Sequence, residues 1–337
     1  MSGPGRAQAS AEEETDGTDQ PLIGNKESGV ENVIIVGTGC AGYAAALYTS
    51  RAGLEPLVFE GDLPNGQLGT TTLVENYPGF PEGVDGPDLM TQMRAQAEKF
   101  GTRYEFGLVT DIDVNGSPFT LTIDNNRKIE SKTVILASGA SPRYLGLESE
   151  RALLGHGLSS CATCDGAFFR DQELVVVGGG DTAMEDSLFL TRFASKVNVV
   201  HRRDELRASK VMQERAFENE KIEFIWDTVV TEIHDPEQNT VTGVTLKSLK
   251  TEEEREFSCG GVFIAIGHVP NTGFLEGKLE LDETGYIVTQ SPTTYTSIDG
   301  IFACGDCVDH IYRQAITAAG TGCAAAIDAE RWLAERE

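Results

Sequence analysis

The sequence has little that would tie it to a polyanion. Lys and Arg total 27 against 53 Asp and Glu, a formal net charge of −26. A nucleic-acid binder needs a basic face to displace counterions, so no nucleic-acid partner is expected, nor an anionic membrane. No run approaches the roughly 18 apolar residues of a spanning helix. The segment Met1 to Val30 has no basic start followed by an apolar core, so it does not read as a secretory signal. It reads instead as a disordered acidic N-terminal arm, residues 1–30. Cysteine is sparse and odd in number, seven in 337 residues, unlike the dense even framework of small secreted domains. That predicts a soluble protein of a reducing, cytoplasmic compartment. Histidine is scarce, at five, and no metal site is expected.

What is present fits two domains, the natural division for this length. The acid excess suggests a surface adapted to a salty cytoplasm, where self-repulsion is screened; an ordinary acidic enzyme with a solvated surface is the plainer alternative.

Asn32 to Val36 is a short β-branched run of the kind buried in parallel sheets. It meets Gly37-Thr38-Gly39-Cys40-Ala41-Gly42, and Tyr43 to Ala52 then reads as a helix. Glycines at the first, third and sixth places allow a tight turn, approach of a pyrophosphate, and seating of the helix on the strand. A second strand, Pro56 to Phe59, ends in Glu60, placed to grip a ribose hydroxyl.

The pattern recurs. Leu174 to Val177 leads into Gly178-Gly179-Gly180-Asp181-Thr182-Ala183, a helix from Met184 to about Phe193, and a strand from Lys196 to Val200. This strand ends on His201, Arg202 and Arg203, with Arg207 a turn further on. An acid would repel a 2′-phosphate that guanidiniums would bind. Unit one therefore suits the adenosine of FAD and unit two suits NADPH, although arginines at a solvated helix start remain an alternative.

Between the units lies Cys161-Ala162-Thr163-Cys164-Asp165-Gly166. Two cysteines three apart at a turn or helix start suit redox exchange. A zinc site would need a second ligand pair nearby, and Cys304 and Cys307 lie far beyond the usual spacing. A purely structural thiol pair stays open. Asp165 is placed to move a proton or to cap a helix. The second pair, in Cys304-Gly305-Asp306-Cys307, follows a strand-like Ile301 to Ala303 and is better suited to holding a flavin than to catalysis. Cys40, Cys259 and Cys323 read as small buried apolar residues.

With these pieces together, the chain resembles the low-molecular-weight thioredoxin reductases of bacteria, archaea and plants, from about Asn32 to Leu333. The resemblance rests on the first glycine turn, Gly66-Gln67-Leu68, Val74 to Gly79 with Asn76, Cys161 to Gly166, His201 to Ser209, Gly267 to Asn271, Gly305-Asp306, and Tyr312-Arg313-Gln314-Ala315. It implies an α/β homodimer of two Rossmann-like dinucleotide-binding domains, the second inserted in the first. The FAD domain would comprise 31–145 and 268–337, and the NADPH domain 146–267. Residues matching Glu60 to Gln67 and Asp306 to Ala315 would hold flavin. Cys164 would contact it, Cys161 would attack the disulfide of a thioredoxin, and Asp165 would be the general acid. Rotation of the inserted domain would let nicotinamide and disulfide take turns at one flavin. Departures are Cys40 in place of a usual proline, Cys304 and Cys307 in place of small or aliphatic residues, and Ser138 in place of Thr. A peroxidase-feeding reductase, a dithiol oxidase, a ferredoxin-NADP reductase relative and a redox sensor are the competing functions.

Overall fold

The computed structural model describes residues 29–71 and 73–336. The expected acidic arm lies outside the described residues except at Gly29 and Val30. Val30 is not part of an arm, because it already pairs with Glu130 in a sheet.

A seven-stranded sheet begins with Val30–Val36, whose run Val33 to Val36 is buried on both faces. Alternation sorts its side chains. Ile34 and Val36 join one core with Phe59, Leu136 and Phe119; Val33 and Ile35 join another with Ala41, Ala45 and Ala329 from two helices. Leu57–Phe59 and Arg103–Glu105 extend the sheet in parallel on one side. On the other side the long strand Arg127–Leu136 runs parallel to Val30–Val36 and has two further partners. Its first half is antiparallel to Phe119–Ile123, and its last residues run parallel to Ile301–Ala303. The chain thus returns to this sheet only after building the second one.

The helices Cys40–Arg51 and Ala315–Ala334 cover the same face. A Cβ at Gly322 would lie 2.1 Å from the Ala41 carbonyl oxygen, so the two meet backbone to backbone. The first helix starts three residues before the expected Tyr43, because Gly39 is its N-cap and the glycine turn is already its first turn.

The second sheet has five strands, all parallel: Leu158–Ser159, Gly261–Ile264, Glu173–Val177, Lys196–Val200 and Ile222–Ile225. Val176 and Val199 face the helices Asp181–Leu190 and Lys210–Phe217; Val175, Val200 and Ile264 face an antiparallel three-stranded sheet through Val230, Val244 and Leu246. Here too the helix begins three residues early, with Gly180 as N-cap, and it ends at Leu190. Both units are α/β layers of the Rossmann type.

Two chain crossings join the units, and they pair with each other: Ala140–Pro142 runs antiparallel to His268–Pro270. On one side Asn271 donates to the Ser138 carbonyl. On the other, the buried Glu150 carboxylate accepts the backbone N–H groups of Leu145, Gly146 and Leu147. Among the described residues no helix is long and apolar enough to cross a membrane.

Candidate functional site

The two glycine turns are built alike. Gly37 has φ +107 and a Cβ there would sit 2.4 Å from the Ala137 carbonyl oxygen; Gly178 has φ +159 and a Cβ 2.4 Å from the Ala265 oxygen. Gly42 packs on Gly37, and Ala183 packs on Gly178. At the middle positions, Gly39 and Gly180, nothing in the protein lies within 4 Å of an added Cβ. Glycine there is explained by what approaches from outside, at a helix N-terminus whose free N–H groups suit a pyrophosphate.

The first turn opens into a cleft of about 1650 Å³. Glu60, Gly66, Gln67 and Asn76 line it from one side and Gly305, Asp306, Arg313, Gln314 and Ala315 from another. Glu60 carries an ion pair with Arg94, at 2.9 Å, that leaves its second oxygen available. Arg94 was not legible as part of the site because it belongs to the separate helix Gly86–Glu98. Gln67 donates to the Ala140 carbonyl at the start of the connecting ribbon.

Asp306 has a buried Oδ1 with no partner. Burial and the neighbouring Asp309 push its carboxyl up to about 6, against the pull of Arg313. An orphaned acceptor on the wall of a cleft that the open Gly39 also lines fits the hydroxyl-rich chain and pyrophosphate of FAD.

The same cleft receives the dithiol. Cys161 and Cys164 form a disulfide with Cα atoms 5.3 Å apart, and both line the cleft together with Asp165. Cys161 precedes the one-turn helix Ala162–Asp165, so Asp165 ends that turn and makes no side-chain cap. Burial raises the Asp165 carboxyl, with Ser159 working against the shift. A carboxyl whose protonated form is favoured by burial, beside a disulfide, is equipped to donate a proton. Thr163, between the cysteines, receives a hydrogen bond from Gln314 Nε2 at 3.2 Å.

The second unit is placed differently. Of its turn residues only Thr182 reaches the cleft. Asp181 accepts the Ser209 N–H, and the Gly179 carbonyl accepts the N–H groups of Arg207 and Ala208, which tie the arginine loop to the turn. Arg202, Arg203 and Arg207 are exposed, and among the described residues none forms an ion pair. Three unpaired guanidiniums in so acidic a chain fit a 2′-phosphate. His201 is not with them: its ring is buried beneath Gly179, edge-on to Trp226, with Nε2 unpartnered.

Cys304 and Cys307 are not a rival centre. They are free, 1% and 0% exposed, and belong to cores on opposite faces of the first sheet. Burial raises both thiols. Cys40 and Cys259 are buried as expected, whereas Cys323 is only half-buried. Among the described residues no cluster of three or more His, Cys, Asp or Glu could hold a metal ion.

The family model for pyridine nucleotide-disulphide oxidoreductases matches residues 31–322. The chain belongs to the pyridine nucleotide-disulphide oxidoreductase family. Its relatives there include the thioredoxin reductase of Mycolicibacterium smegmatis, 56% identical over 91% of this chain and 98% of that one. The bifunctional thioredoxin reductase/thioredoxin of Mycobacterium leprae is 52% identical over 91% of this chain and 66% of that protein. Among solved structures, thioredoxin reductase from Giardia duodenalis superposes with a TM-score of 0.85 at 43% identity, covering 90% of this chain and 98% of that one. The Lactococcus lactis enzyme in its FR conformation is nearly as similar in sequence, 41%, with 90% and 99% covered, yet its TM-score is 0.61. As a member of this family the chain is an oxidoreductase that uses FAD and NADPH.

Proposed function

We propose that the protein is a thioredoxin-disulfide reductase that passes electrons from NADPH through FAD to the Cys161–Cys164 pair and on to oxidised thioredoxin. The observation that carries this is the shared cleft: the disulfide lines the same cavity as Gly39, Glu60 and Asp306. Bound FAD supplies a two-electron carrier between nicotinamide and disulfide. Glu60 would hold its ribose and Asp306 its hydroxyl-rich chain, while Gly66, Gln67, Asn76, Arg313, Gln314 and Ala315 would enclose the rest. Arg202, Arg203 and Arg207 would take the 2′-phosphate of NADPH beside Gly178, Gly180 and Ala183. Cys164 would be the sulfur next to the flavin, Cys161 would attack the disulfide of the partner, and Asp165 would supply the proton. The fused thioredoxin of the Mycobacterium leprae relative supports thioredoxin as that partner.

The reading divides the chain into an FAD domain, 31–145 and 268–337, and an NADPH domain, 146–267. The ribbon Ala140–Pro142 with His268–Pro270 is where one would rotate on the other. The second unit's arginines stand away from the cleft that holds the dithiol, so delivering nicotinamide to the flavin needs another arrangement. The low TM-score to the Lactococcus lactis structure at 41% identity is what rearranged halves of the same fold would give. A homodimer is supported by Tyr48, Ile316 and Ile327, large apolar side chains exposed on the two helices that cover the first sheet. We assign it to the cytoplasm.

Anaerobic titration tests the reading. NADPH should bleach the flavin absorbance, and oxidised thioredoxin should restore it in proportion to the disulfide added. A flavin that NADPH reduces but thioredoxin does not reoxidise would overturn the assignment.

A further inference from the structure

Away from the two chain crossings and the residues that flank them, the two halves of the molecule share one hydrogen bond among the described residues, and it ends on the residue between the two cysteines. Gln314 Nε2 donates to Thr163 Oγ1 at 3.2 Å, across 151 positions of sequence. Among the described residues no ion pair crosses between the halves.

The donor is held in place. Gln314 is the N-cap of the helix Ala315–Ala334, and its side chain accepts the Thr317 N–H in a capping box. Asn76 donates to the same Gln314 Oε1 at 3.3 Å. With its oxygen occupied on the helix side, the amide nitrogen is left to donate, and it shares its N–H groups among Thr163 and the Arg313 and Tyr312 carbonyls of its own loop, at 3.2 and 3.3 Å. Thr163 continues the chain: its hydroxyl lies 3.5 Å from Cys161 Sγ. A disulfide sulfur can only accept, so Thr163 accepts from Gln314 and donates to Cys161.

We propose that Thr163 is a positioning residue, a latch that holds the dithiol turn against the first unit and links the docked arrangement to the Cys161 sulfur. The proposal rests on the functional reading above, because a latch has meaning only if the halves separate. Thr163 is exposed, in a single helical turn, and packs no core, so its side chain has no other evident structural task. One neutral hydrogen bond shifts a two-state balance about fivefold. That is enough to bias docking yet weak enough to release at each turnover.

The test uses the flavin-loaded full chain and needs no turnover. The oxidised protein is treated with dithiothreitol at low concentration, and thiols appearing at Cys161 and Cys164 are trapped by alkylation and counted by mass. Each event breaks the Cys161–Cys164 bond, places a proton on each sulfur and leaves the reagent as a cyclic disulfide. Docking turns Cys161 into the cleft and undocking exposes it. Thr163→Val, equal in shape but without the hydroxyl, should therefore react up to about fivefold faster, and Thr163→Ser should return to the parent rate. Thr163→Val at the parent rate, or a Ser variant as fast as Val, would overturn the latch. A disulfide that dithiothreitol cannot reduce in any of the three would instead overturn the redox reading of the pair.

Discussion

Replacing Asp306 with Asn should stabilise the flavin-free protein while weakening its hold on flavin. In the flavin-free protein the Asp306 carboxyl is raised from the ordinary 3.8 to about 6, chiefly by burial. A carboxyl whose folded value is raised binds its proton more tightly in the native state. Stability is then highest below about 3.8 and declines as pH rises to about 6, above which the whole cost is present. About two units at 1.36 kcal/mol each put that cost at about 3 kcal/mol at pH 8, and only about half of it at pH 5. Asn removes the charge but brings an amide that also lacks a partner, so the net gain should be about 1 to 3 kcal/mol. Urea unfolding of flavin-free protein at the two pH values measures it, with a midpoint rise of up to roughly 1 M at pH 8 for a slope near 3 kcal/mol per molar. A variant no more stable than the parent at pH 8, or a gain of equal size at both pH values, would refute the argument.

Replacing Arg202 and Arg203 by uncharged residues should weaken NADPH by roughly 2 to 5 kcal/mol, as loss of two charged hydrogen bonds implies, and affect NADH much less; binding titrations with both coenzymes check this. Because burial raises the Asp165 carboxyl, dithiol exchange that uses its proton should slow as pH rises through that raised value; a pH–rate profile should lose this limb in Asp165→Asn. Cys304→Ala and Cys307→Ala should leave turnover intact, at a stability cost of about 1 kcal/mol each for the lost apolar burial; steady-state assays and urea melts report both.

The parts legible in the sequence were those in which backbone geometry fixes residue type locally. A strand running into Gly37-x-Gly39-x-x-Gly42 admits few other conformations, and the same logic located Gly178 to Ala183 and the strand Lys196–Val200. Helix starts were misjudged by three residues because the turn and the first helical residues overlap at Cys40 and Asp181. The partners of these residues were not legible. Arg94 reaches Glu60 from 34 positions away, and Gln314 reaches Thr163 from 151, each set by how layers and units stack. His201 belonged by sequence with Arg202 and Arg203, yet it directly follows the strand Lys196–Val200, its N–H still bonded to the Ile225 carbonyl, and its ring is tucked under Gly179.

The relay through Cys161 can be interrupted at one atom. In Cys161→Ser, NADPH should still bleach the flavin, while reduction of oxidised thioredoxin falls to background and Cys304 and Cys307 remain as free thiols. Thioredoxin reduction persisting at the parent rate in that variant would contradict the route through this pair.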